Sequence, residues 1–352
     1  MMKAAVVVGK NDIQYKDIPE PVVEPGFVKV NIKHCGICGS DIPRVLNGAC
    51  HSFPQVLGHE CSGVVAEIGN GVTSVQNGDH VVIVPLVPCM KCTDCQKGNF
   101  SLCKHYSFIG SRQQGGMAES LVIPEKNVLK IDKNIPLVSA ALFEPSTVAL
   151  HGVLLNNFNP KPTDNICVFG AGTIALFTLQ WCKILGGKKI TVIGRNKDRL
   201  TTATKYGATN VLSTLDENFQ EQAAALTNNC GFDYIFDSAG TSETIIYSLQ
   251  VAANKAKVCY IGTPTKPIEF SVKSWELINR KELSVTGSWM SYSAPWPGEE
   301  WHKTAEHAQK RDLQINEDMI YKHYSLKDVK QAFENFEKNR SAVSGRIVLD
   351  IE

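Results

Sequence analysis

The chain carries almost no net charge: 36 lysines and arginines stand against 35 aspartates and glutamates over 352 residues, leaving +1. That balance excludes a global field drawing the protein to nucleic acid or to an acidic membrane surface, so neither is expected as a partner. A phosphate-bearing small molecule would need only a local basic patch. Long apolar runs are missing too. Nothing approaches the ~18 residues of a membrane span. The apolar run after Lys3, AAVVV, is too short for a signal peptide's apolar region and lacks its cleavage site, so a cytoplasmic chain is expected. There is no internal repeat and no low-complexity tract.

What is present is a hydrophobic content of 43%, enough for a sizeable core, in a chain longer than the ~250–300 residues at which single cores stop growing. Two domains are therefore expected. Twelve cysteines in a reducing compartment argue for metal ligation rather than a disulfide framework.

The stretch HCGICGSDIPRVLNGACHSFPQVLGHE, residues 34–60, brings a thiol (Cys38), a hydroxyl (Ser40), an imidazole (His59) and a carboxylate (Glu60) into close sequence order. Soft, borderline and hard donors in one set, short of four firm ligands, suit a zinc ion that keeps one position open for substrate. Taken singly, Cys38 also reads as a small buried hydrophobe and His59 as a core histidine. Asp41 could hold a ligand histidine through its second ring nitrogen, or cap a helix at the surface. Around this stretch KAAVVV (3–8), FVKVNIK (27–33), SGVVAEIG (62–69) and DHVVIVP (79–85) read as short strands separated by proline and glycine, which predicts a strongly bent β-rich domain.

A sharper metal signal follows. Cys89, Cys92, Cys95 and Cys103 are spaced C-x2-C-x2-C-x7-C in a polar loop. Four thiolates in so short a segment make a closed tetrahedral zinc site, which holds a loop and does no chemistry. The alternative, an iron–sulfur cluster, fits less well, because the bacterial ferredoxin run has a shorter last spacing followed by proline. Glu144 interrupts the apolar segment AALFEPSTVALHG, with Pro145 where a helix could start. A lone acid in apolar surroundings needs a helix N-terminus, a basic side chain or a metal.

From residue 165 the pattern changes to strands alternating with helix-length stretches, the mark of a doubly wound parallel sheet. NICVFGAGTIALF places Gly170, Gly172 and Ala175 in the G-x-G-x-x-G/A arrangement. Gly170 permits the tight turn, Gly172 lets the backbone approach a pyrophosphate, and Thr173 and Ile174 open a helix whose positive end faces it. The second strand ends in Gly194-Arg195, with Lys197 and Arg199 nearby, where an NAD site usually has an acid for the ribose; Asp198 lies too far along. Missing acid plus adjacent arginine favours NADP(H) over NAD(H), unless these are ordinary solvated residues of the next helix. After residue 289, SWMSYSAPWPGEEW reads as an aromatic packing or subunit-interface cluster before a helical stretch and a terminal strand, RIVLDIE. The predicted domains are 1–155 with 289–352, and 156–288.

The order Cys38, GHE at 58–60, the cysteine quartet, Glu144 and GAGTIA resembles the zinc-dependent medium-chain dehydrogenase/reductase family along essentially the whole chain. That resemblance implies an α/β protein with a GroES-like β-rich catalytic domain and a Rossmann dinucleotide-binding domain. It implies two zinc ions per chain: a catalytic one held by Cys38, His59 and Glu144, with Glu60 as direct or exchanging ligand, and a structural one on the quartet. Ser40 stands at the family's proton-relay position. The histidine that extends the relay in the alcohol-dehydrogenase branch is here replaced by Pro43.

PLVPCMKCTDCQKG, YSFIGSRQQGG and GSWMSYSAPWPGEEW resemble the polyol-phosphate branch, which implies hydride transfer between galactitol 1-phosphate, giving tagatose 6-phosphate, and NAD(P). Ribitol 5-phosphate and sorbitol are the alternatives in the class. Arg44, His51 and Arg112 are the candidates for the substrate phosphate, each also readable as an ordinary surface residue. Polyol dehydrogenases of this kind mostly carry the ribose acid, so Gly194-Arg195 is a departure. The family also implies a homodimer or homotetramer. A reading from another class is a catalytically idle nucleotide-binding sensor, which would have no need of Cys38, His59 and Ser40 together.

Overall fold

Residues 1–338 and 345–352 are described by the computed structural model. Contacts divide them into two units, one of Met1–Glu144, Tyr292–Arg311 and Ile315–Glu352, the other of Pro145–Ser291 and Asp312–Gln314. The first boundary thus falls before residue 155. Helix Phe143–Leu155 joins the second unit from Pro145 onward, because Ser146 Oγ accepts from the Trp181 indole at 3.0 Å and Gly152 lies flush against Ile261.

In the first unit, strand Phe27–Ile37 is the spine. Its alternating sequence buries Val28, Val30 and Ile32 completely while Asn31 stays exposed. Glu60–Ile68 pairs antiparallel along most of it, Ser120–Pro124 along its first residues, and Arg346–Asp350 along its last. Register shifts at Lys29/Val30 and Ile32/His34 bend the pair, as bulges do. The main path of the seven-stranded sheet runs Val128–Lys130, His80–Ile83, Glu60–Ile68, Phe27–Ile37, Arg346–Asp350, Ile320–Ser325. The last strand of the chain is therefore built onto Phe27–Ile37, while Met2–Gly9 pairs in a separate three-stranded sheet, and Ile347 and Leu349 enter the same core as Val28 and Ile37. A first hairpin, Met2–Gly9 with Asp12–Ile18, was half legible: only Ile13 of its second strand is buried, so no apolar alternation marks it.

The second unit is a six-stranded, wholly parallel sheet ordered Asn210–Ser213, Lys189–Gly194, Asn165–Phe169, Phe232–Asp237, Ala252–Tyr260, Ser284–Gly287. Numbered along the chain, that is 3-2-1-4-5-6, the doubly wound order in which ligands bind beyond the carboxyl ends of the central strands. Strand Asn165–Phe169 is apolar and buried after its first residue because helices cover both faces of such a sheet. Helix Thr173–Ile184 is buried from Ala175 to Cys182.

Candidate active site

The side chains singled out in residues 38–60 come from three adjoining elements of the first unit. Cys38 lies just past the end of strand Phe27–Ile37, Ser40 is the N-cap of the short helix Asp41–Leu46, and His59 and Glu60 lie at the start of strand Glu60–Ile68. Glu60 sits opposite Gly36 in the ladder, where any Cβ would stand 2.3 Å from Glu60 Oε2. Gly58 has φ +98° and a Cβ there would press on Cys35 Sγ and Met117, so glycine turns the chain to deliver His59.

The outcome is that donor atoms of Cys38, His59 and Glu60 all lie within 4.8 Å of one another. Asp41, fully buried, lies with Oδ1 3.6 Å from His59 Nδ1 and accepts the Cys38 N–H on Oδ2 at 3.1 Å. His59 also meets the Phe108 ring edge-on at 5.6 Å. Glu144 occupies the first turn of helix Phe143–Leu155, which starts one residue before it rather than at Pro145.

Charge explains what such a cluster needs. Burial, reinforced by the Glu60 charge, pushes the Cys38 thiol up to about 12. Burial also raises Glu144 to about 8; His59 opposes this, while Glu60 and Cys38 add to it. For His59, burial lowers the pKa, but Asp41, Glu144 and Glu60 more than offset it. A thiol and three carboxyls ionise together in one place only around a cation. Mixed S, N and O donors, with Cys38 and Glu144 keeping partial solvent access, fit a zinc ion with an open position. The sequence reading missed Arg346, whose Nε lies 2.9 Å from Glu60 Oε2. Its only signal was a charge opening a terminal strand whose next three residues are apolar.

The sulfur atoms of Cys89, Cys92, Cys95 and Cys103 likewise converge within 4.8 Å. Backbone N–H groups of Cys92 and Cys89 point at Cys89 Sγ and Cys103 Sγ, each at 3.4 Å, as amides do around a bound thiolate. Backbone hydrogen bonding lowers the Cys92 thiol to about 6. The aromatic cluster packs on this loop: Trp296 stacks on Tyr292 and meets Phe100 edge-on, and Ser101 Oγ accepts the Tyr292 N–H at 3.1 Å. Trp301 and Tyr292 are buried, whereas Trp289 is exposed.

In the second unit, Gly170 has φ +104° and a Cβ there would lie 2.7 Å from Ser238 Oγ. Gly172 is the N-cap of helix Thr173–Ile184, and a Cβ on it would meet nothing in the chain. No internal contact calls for glycine there; a close-approaching ligand would. Thr173 is buried and Ile174 partly so. Gly194 is buried at its strand end, and exposed Arg195 lines a cavity of about 230 Å³ with Thr241, Glu243 and Lys266. Sequence reading missed Lys266 and Glu243, which reach Arg195 only through the fold. Arg199 is not part of that lining; its backbone N–H is capped by Asn196 Oδ1 at 3.0 Å.

Of the phosphate candidates, Arg44 is tied to Ser40 and Asp41. Arg112 is exposed and lies over the Tyr106 ring, 4.4 Å from its centroid, in the loop that carries Phe108 to His59. His51 is exposed on the segment before strand Gln55–Val56.

Comparison with known proteins agrees with this geometry. Residues 24–133 match the family model for the alcohol dehydrogenase GroES-like domain, and residues 173–309 the model for zinc-binding dehydrogenase. Galactitol 1-phosphate 5-dehydrogenase of Escherichia coli strain K12 is 35% identical over 94% of each chain. The crystal structure of galactitol-1-phosphate dehydrogenase from Escherichia coli superposes with a TM-score of 0.92, at 34% identity, covering 99% of this chain and 100% of that one. A zinc-binding dehydrogenase from Sinorhizobium meliloti 1021 bound to NADP (TM-score 0.90, 99% of both chains) and an Escherichia coli CFT073 alcohol dehydrogenase complexed with NADH (0.88, 99% of both) are each 26% identical. The chain belongs to the zinc-dependent medium-chain dehydrogenase/reductase family, with its GroES-like and Rossmann domains, and is an oxidoreductase of the alcohol and polyol dehydrogenase kind.

Proposed function

We propose that the protein transfers a hydride between the secondary alcohol of a polyol phosphate, galactitol 1-phosphate giving tagatose 6-phosphate, and a nicotinamide cofactor, NADP(H) by preference. The observation that carries this reading is the convergence of Cys38, His59 and Glu60 beside buried Asp41, with Glu144 coupled to them by charge. Cys38, His59 and Glu144, with Glu60 as direct or exchanging ligand, hold the catalytic zinc. Cys89, Cys92, Cys95 and Cys103 hold a structural one. Held there, a zinc ion would supply a Lewis acid for the substrate oxygen, and a nicotinamide would supply the hydride acceptor. Asp41 orients the His59 ring, Arg346 offsets the charge of Glu60, and Ser40 takes up the proton of the substrate hydroxyl.

Gly170, Gly172, Thr173 and Ile174 receive the pyrophosphate, and Gly194 lets the adenosine ribose approach the sheet. Arg195 and Lys266, which line the same cavity, support a 2′-phosphate, with Arg199 of the following helix as a further basic residue. Glu243, lining the same cavity, is the feature that would suit a free ribose hydroxyl instead. Arg112 and His51 are the remaining anchors for the substrate phosphate.

The fold also leaves strand Ser284–Gly287 as a sheet edge, with Val285 exposed and no buried residue in the neighbouring helix Val272–Arg280. An exposed edge is a template for pairing with a second copy, in keeping with a homodimer or a tetramer built from it. Among the described residues no helix is long and apolar enough to cross a membrane, and we assign the enzyme to the cytoplasm.

Initial rates on galactitol 1-phosphate, ribitol 5-phosphate and sorbitol test the substrate. The highest kcat/KM is expected for galactitol 1-phosphate; equal values with and without the phosphate would end the phosphate claim.

A further inference from the structure

Arg44 follows Pro43, the residue that stands where the relay histidine would be, and its guanidinium turns back onto the site. Its Nη1 donates to the Ser40 carbonyl at 2.8 Å, to Ser40 Oγ at 3.0 Å and to Asp41 Oδ1 at 3.2 Å. Asp41 in turn takes the Cys38 N–H and faces His59 Nδ1. One nitrogen therefore ties together the hydroxyl, the start of the helix and the carboxylate that braces the histidine. That nitrogen is committed to the site's own groups rather than to a phosphate, the role the sequence suggested for Arg44.

We propose that Arg44 is a positioning residue for the hydride transfer proposed above, holding Ser40 Oγ ready to accept the substrate's proton. A serine hydroxyl has one proton and two lone pairs. Arg44, a permanent donor that cannot itself accept a proton, fills one lone pair and leaves the other for the substrate hydroxyl. As the substrate O–H bond breaks and that proton reaches Oγ, the proton Oγ already carried passes to water, so Ser40 ends as it began. Ser40 is exposed to solvent, so the proton needs no further carrier and Pro43 costs the enzyme nothing. By holding Asp41, the same guanidinium steadies His59 as a ligand.

The proposal rests on the zinc reading, and its test separates the two. Wild type, R44A, R44K and C38A are compared for kinetics on galactitol 1-phosphate and, without substrate, for zinc retained against a chelator. Cys38→Ala should release one zinc; if it releases none, the zinc reading falls and this proposal with it. Arg44→Ala should lower kcat by roughly 10²-fold, in the range of a lost proton-transfer aid. It should weaken retention of the same zinc roughly 10–100-fold, as loss of an outer-shell partner does. KM should change little, and R44K, keeping the charge without the fork, should recover part of both losses. With the C38A zinc lost as expected, an R44A enzyme that keeps kcat and zinc retention while KM rises would overturn the proposal and make Arg44 a phosphate anchor.

Discussion

Arg346 Nε lies 2.9 Å from Glu60 Oε2 with the carboxylate fully buried and the guanidinium nearly so. The pair joins a strand from the end of the chain to one begun near residue 60, and it is held where Arg346–Asp350 and Glu60–Ile68 flank Phe27–Ile37. Breaking such a pair leaves one charge buried without compensation, which costs about 3–5 kcal/mol. Arg346→Met is therefore expected to lower the urea-unfolding free energy of the zinc-free protein by about 3 kcal/mol or more. The double change R346M/E60Q should recover much of it; equal losses in single and double variants would show that the pair is not coupled.

Zinc analysis is expected to find two ions per chain. C38A should leave one, with the fold retained and dehydrogenase activity gone. Cys92→Ser should also leave one, but with a lower thermal midpoint, because the quartet holds a loop and the aromatic residues packed on it. One zinc that survives C38A would favour the idle sensor.

Arg195→Ala is expected to weaken NADP(H) by roughly 10–100-fold and NAD(H) far less, since a charge-assisted phosphate contact contributes about 1.5–3 kcal/mol. Lys266→Ala should act in the same direction. If Glu243→Gln instead weakens NAD(H) strongly and Arg195→Ala changes both cofactors equally, the preference is reversed. Isothermal titration with each cofactor decides it.

His323 links Glu317 (Nε2 to Oε1 2.8 Å) to Asp350 (Nδ1 to Oδ1 3.0 Å). Burial lowers its pKa, but the two carboxylates more than offset that, so its folded value lies above the unfolded one. A raised folded pKa means stability that is fully present below the unfolded value near ~6.5 and lost as pH rises through the folded value. Partly exposed, the interaction is of order 0.2–1 kcal/mol. Between pH 5.5 and 8.5 the wild-type melting temperature should fall relative to that of His323→Gln; parallel curves would remove His323 from the account.

Val285→Lys places a charge on the open edge of the parallel sheet. Sedimentation should then report a smaller assembly than wild type, with the folded signal intact. An unchanged mass would put the subunit contact elsewhere.

Much of this protein is written locally. The cysteine quartet is legible because its ligands lie within one loop, and the glycine turn because strand, turn and helix follow one another within 20 residues of sequence. The parallel strands are legible because burial on both faces demands largely apolar runs, as in the buried ICVF and ITVIG of the first two strands. Strand Asp12–Ile18 escaped because its pairing, not its side chains, holds it.

What only the tertiary structure decided are the relations between distant segments. Nothing near Glu60 in the chain names Arg346, and nothing near Arg195 names Lys266 or Glu243; sheet pairing and the packing of loops at strand ends bring them together. Likewise Arg44 and Ser40 lie only four positions apart in sequence, but whether a flexible arginine turns inward or out to solvent depends on what surrounds the helix. Sequence alone determined which chemistry the chain can hold, because ligand type and local spacing are covalent facts. The fold determined which charges face each other, because a buried charge selects its partner by distance in space and not along the chain.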